Sequence, residues 1–131
     1  MDQTAETVIA NFLSSHPETR LAILFGSLAT GRQHAESDID LAIDIGQPLT
    51  SSKKMELIAE LAKGIGRPVD LIDLRVVGEP LLGQILKHGK RLHGADEAYA
   101  ALICRHVFDE ADFMPGYRRI LKERREAWIG K

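Results

Sequence analysis

Cysteine is nearly absent: Cys104 is the only one in 131 residues, which excludes an internal disulfide and any zinc site built from several thiolates. Its setting in ALICRHVF reads as a buried helical thiol without a catalytic role. Long apolar runs are missing too. Leu21 to Phe25 is a compact example, and nothing approaches the roughly 20 residues that cross a bilayer, so no membrane association is expected. Neither charge sign dominates, because 17 Lys and Arg face 19 Asp and Glu for a net charge of −2, and no global positive field marks the chain as a nucleic-acid binder. The opening MDQTAETVIANF has neither a basic stretch nor a small-residue cleavage site, and a cytoplasmic location follows as the default.

Several chemistries are excluded by missing motifs. No GxxxxGK[ST] loop occurs, SDIDLAID lacks the glycine and final glutamate of a calcium loop, and Ser27 lies in no GxSxG turn. His16, His34, His88, His93 and His106 are scattered without zinc-ligand spacing; His34, ahead of the aspartates, is the one placed to touch a nucleotide.

What is present is an ordinary globular composition, 44% hydrophobic and 27% charged, at the length of a single domain spanning 1–131. Apolar periodicity predicts a helix over Glu6 to Leu13, a strand covered on both faces over Leu21 to Phe25, and a turn and short helix after Gly26-Ser27. Asp38 to Ile45 alternates as a strand, with Ile39, Leu41, Ile43 and Ile45 on one parity. A helix over Ser52 to Lys63, a strand over Val69 to Leu74, a helix over Pro80 to His88 and a weak strand over Lys90 to His93 complete a core of about residues 1–93. From Asp96 a helical tail covers about 95–129, with a break before Pro115. The fold class is therefore α+β (α/β-type), a small mixed sheet of about four strands flanked by helices, with a C-terminal helical tail.

Asp38 and Asp40, two apart on one strand, leave the same face with Cα atoms about 6.5–7 Å apart. Paired carboxylates at that spacing repel unless a cation lies between them, and two Mg²⁺ ions with hard oxygen ligands supply that charge. The plainer alternative is a half-exposed edge strand with solvated acids. Gly26-Ser27 follows a buried strand, where a residue without a side chain lets the backbone approach phosphate. A third acid comes from Asp70 or Asp73, which point to opposite faces of the next strand; Asp70 is chosen because Asp73 lies near the strand end beside Arg75.

Gly26-Ser27, ten intervening residues, Asp38-Ile39-Asp40 and a later strand acid together resemble the nucleotidyltransferase superfamily, and within it the minimal nucleotidyltransferase group, over Leu21 to about His93. The resemblance implies the nucleotidyltransferase fold, with Asp38, Asp40 and Asp70 as the catalytic, metal-binding carboxylates of two Mg²⁺ ions. It makes Gly26, Ser27, Arg32 and Ser37 the nucleotide contacts. Arg32 stands further from the Gly-Ser pair than the basic residue of many superfamily members, with Leu28, Ala29 and Thr30 between. The implied reaction is transfer of AMP from ATP to a hydroxyl, a tyrosine of a partner protein, in a two-component system whose toxin is a HEPN-type ribonuclease. That partner makes a hetero-oligomer, with no direct nucleic-acid contact.

The 38 residues after His93 leave no room for a separate acceptor-binding domain. Tyr99, Leu102, Ile103, Val107, Phe113, Met114, Tyr117, Ile120, Leu121 and Trp128 give the tail more apolar surface than a small sheet needs, which suits a partner. From Pro115 to Lys131 six basic residues oppose two acidic ones, read as a solvated helix face. Two competing readings are a binding module that silences its partner by occupying it, and transfer to a small molecule or an RNA end.

Overall fold

In the computed structural model, residues 3–26 and 38–113 are described. Their element order is α1 (Gln3–Ser15), β1 (Leu21–Phe25), β2 (Ile39–Asp44), α2 (Ser51–Ile65), β3 (Val69–Asp73), α3 (Leu81–His88), β4 (Lys90–Gly94) and α4 (Asp96–Phe113). The segment expected to hold a short helix after Gly26, with Ser27, Arg32, His34 and Ser37, lies outside the described residues. So does the chain beyond Phe113.

The four strands form one mixed sheet in the order β3-β2-β1-β4. β1 runs antiparallel to both of its neighbours, and β2 runs parallel to β3. β2 is therefore an interior strand, with ladder partners on both sides, and not the half-exposed edge that was the plainer alternative for its alternating acids. The unbroken apolar character of β1 has the expected cause, since Ala22 and Leu24 belong to one core cluster and Leu21 and Ile23 to the other.

The first cluster lies under α1 and α2, where Ile9, Phe12, Leu57 and Leu61 meet Leu24, Leu41, Ile43 and Leu71. The second lies under α3 and α4, where Leu82, Ile85 and Leu102 meet Leu21, Ile23, Ala42 and Leu74. α2 is delimited by local chemistry. Thr50 Oγ1 accepts from the Lys53 N–H at 3.1 Å, and Gly66 closes the C-terminus in a left-handed conformation while its N–H reaches the Ala62 carbonyl.

One expectation is corrected here. Cys104 is exposed, because Leu102, the residue that α4 buries, lies two positions away and therefore about 200° round the helix. Ile103, Val107 and Phe108 share that outer side, 39%, 58% and 72% exposed. Among the described residues no helix is long and apolar enough to cross a membrane.

Candidate active site

Strand parity decides which acids can act together. Ile39, Leu41 and Ile43 point into the cluster under α1 and α2, so Asp40, Ala42 and Asp44 point toward α3 and α4. Asp38, the residue before β2, continues that parity and is exposed. On β3, Leu71 faces the first cluster while Ile72 and Leu74 face the second, which places Asp70 on the α3 side. Asp70 is moreover the register partner of Asp40 in the parallel ladder, about 4.8 Å away along the sheet. Asp38, Asp40 and Asp70 thus share one face at one end of the sheet.

Asp73 has the opposite parity and a different task. Its Oδ2 accepts the Leu49 N–H at 2.8 Å and its Oδ1 accepts the Arg75 N–H at 2.9 Å, tying the loop between β2 and α2 to the turn after β3. The Arg75 guanidinium lies 3.8 Å from Asp44 Oδ1, so Arg75 meets Asp73 through its backbone and Asp44 through its side chain.

The carboxyl of Asp40 is held above the usual carboxylate range, first by burial and then by the negative charges of Asp70 and Asp38. Gly26 stands directly beside it. Its φ of +81° favours glycine, and a Cβ built there would lie 2.1 Å from Asp40 Oδ2. The backbone after β1 therefore packs directly against the Asp40 carboxylate, where any other side chain would collide with it.

This donor set fits a hard divalent cation. Mg²⁺ takes one or two carboxylates, keeps several waters and completes its shell with substrate phosphate, and a half-buried carboxylate repelled by two others gains most from such a charge. Among the described residues no three Asp, Glu, His or Cys side chains close a metal site by themselves.

On the other side of Gly26 a cavity of about 220 Å³ is lined by Phe25, Gly26, Gln84 and His88. Phe25 is the register partner of Asp40 across the β1–β2 ladder, so its ring shares the carboxylate face. α3 comes close because Gly89 has no side chain: a Cβ there would lie 2.5 Å from Ile23 Cγ2. Nothing in the sequence pattern singled out Gln84 or Phe25, and His88 was one of five scattered histidines. The available signal was their spacing, four residues apart on an amphipathic helix that ends beside β1.

The family model described as polymerase beta, nucleotidyltransferase matches residues 7–98. The chain belongs to this nucleotidyltransferase family. Its match runs from α1 through β4 into α4 and so contains the carboxylate row and Gly26. Within the family, the chain is 38% identical to protein adenylyltransferase MntA of Shewanella oneidensis over 104 residues, 76% of this chain and 75% of that protein. It also resembles a chain of a crystallised toxin-antitoxin complex with AMP-PNP, at a TM-score of 0.78 and 29% identity, covering 90% of this chain and 96% of that one. A third relative comes from the complex of tri-AMPylated Shewanella oneidensis HEPN toxin with MNT antitoxin, at a TM-score of 0.74 and 27% identity, covering 94% and 98%.

Proposed function

We propose that the protein is a Mg²⁺-dependent adenylyltransferase that moves AMP from ATP to a hydroxyl, a tyrosine, of a HEPN-type ribonuclease toxin, and thereby serves as its antitoxin. The observation that carries this reading is the row formed by Asp38, Asp40 and Asp70 on one sheet face. The adenylyltransferase named among its relatives and the toxin complexes, one with AMP-PNP and one with AMPylated toxin, support substrate and partner.

In this reading Asp38, Asp40 and Asp70 are the residues that would hold the Mg²⁺ ions. When bound, the ions polarise the α-phosphoryl group and neutralise the leaving pyrophosphate. The chain's own residues do the positioning. Asp70, on the far side of Asp40 from Gly26, orients the acceptor hydroxyl and takes its proton as the oxygen attacks the α-phosphorus. The bond from that phosphorus to pyrophosphate breaks. Gly26 brings the backbone up to Asp40, and Ser27, Arg32 and Ser37 are assigned to the phosphates. The whole chain acts as one catalytic domain, and the exposed Ile103, Val107 and Phe108 on α4 meet the toxin.

The test incubates the protein with Mg²⁺, α-phosphate-labelled ATP and the partner, beside Asp38→Asn and Asp40→Asn. Label is expected on the partner with the unaltered protein and is expected to fall at least 100-fold with either variant. Equal labelling by Asp40→Asn would remove the assignment. A partner silenced without any label would instead favour the binding module.

A further inference from the structure

We infer that Phe25, Gln84 and His88 form the subsite that receives the purine base of ATP, and that Gln84 makes the protein prefer adenine. The inference deepens the reading above, since it needs a nucleotide at Asp40, but rests on a different part of the molecule. The cavity of about 220 Å³ beside Gly26 is bounded by two aromatic rings, one amide and a residue without a side chain. Among the described residues neither lysine nor arginine lines it, so its chemistry suits a flat, uncharged ring better than a phosphate. Phe25 and His88 offer faces on which a base can stack. The Gln84 amide can donate to N7 of adenine and accept from its exocyclic amine, a pattern that guanine, whose N7 and O6 are both acceptors, cannot return.

Position agrees with chemistry. Phe25 is paired with Asp40 across the ladder, so the cavity adjoins the carboxylate that anchors the reacting phosphate. It lies on the β1 side of that carboxylate, while Asp70 lies on the β3 side. The acceptor and the base would therefore occupy opposite ends of one cleft, and neither obstructs the other.

The experiment measures binding of ATP, GTP, CTP and UTP to the full chain with Mg²⁺, together with inorganic tripolyphosphate as the base-free probe. The variants are Gln84→Ala, Gln84→Glu and Phe25→Leu. The unaltered protein is expected to favour ATP over GTP by about 10-fold, the range of one good amide–adenine pair. Gln84→Ala should erase that preference and Phe25→Leu should weaken all four nucleotides, while tripolyphosphate binding stays unchanged in both. Gln84→Glu should lower ATP binding, because a carboxylate has no proton for the ring nitrogen. Unchanged nucleotide ratios in the Gln84 variants would overturn the subsite and leave the transferase reading intact. Loss of tripolyphosphate binding with Gln84→Ala would also overturn it, by assigning the cavity to phosphate. An unaltered protein that binds no nucleotide overturns both readings together.

Discussion

At the scale of single residues, the candidate site depends on one tension and one close approach. Burial and then the charges of Asp70 and Asp38 favour the protonated form of Asp40, so its ionised form is held at a cost. A carboxyl whose folded pKa is raised lowers stability above that pKa, and the penalty is relieved as pH falls through it. Asp40→Asn is therefore expected to raise the melting temperature at pH 7 without divalent ions, and to flatten the gain in stability that the unaltered protein shows as pH falls toward the carboxylate range. Added Mg²⁺ should stabilise the unaltered protein and leave the variant almost unmoved, which thermal scans with and without the ion would show. Gly26→Ala attacks the close approach: its Cβ would meet Asp40 Oδ2 and its φ of +81° would be strained. Destabilisation by about 1 kcal/mol or more, with transfer reduced at least tenfold, should follow in denaturant titration and label transfer. Both residues were legible in the sequence because a glycine after a buried strand and acids on one parity are local signals. Gln84 and Phe25 were not, as their meeting requires α3 to fold back beside β1.

The elements themselves were largely written into local chemistry. Every strand and the first three helices coincide within a few residues with their apolar periodicity, α4 begins at the expected Asp96, and α2 shows why: a threonine cap, an apolar stripe and a left-handed glycine bound it. Gly66→Ala tests the last of these. With φ at +76° and nothing within 4 Å of the added atom, its cost is conformational alone, about 1 kcal/mol by equilibrium unfolding, with the site untouched. What periodicity could not decide was the order of the strands. That β2 lies inside the sheet, and that Asp70 meets Asp40 while Asp73 holds the Leu49 loop, are facts of pairing between segments some thirty residues apart. The exposure of Cys104 was misread for a related reason, because α4 is covered on one side only.

For the whole molecule, the two helical layers divide the work. α1 and α2 seal one face of the sheet, whereas α3 and α4 flank the face that carries the acids. The outer side of α4 remains apolar, and covering it is the expected role of the toxin. Val107→Asp or Phe108→Glu should weaken that complex by about 10-fold or more in a titration and leave the melting temperature of the free protein within about 1 °C, since both side chains already face water. The position of β1 has a separate, temporal consequence. Its β2 partner follows soon after it in the chain, but Leu21 waits for Gly94 on the other side. While the protein is being synthesised, the carboxylate row can assemble as soon as β3 emerges, whereas the second edge of β1 stays unpaired until β4 arrives. For that interval a nearly finished carboxylate row borders an open strand edge, the point at which a nascent chain is most prone to pair with the wrong neighbour.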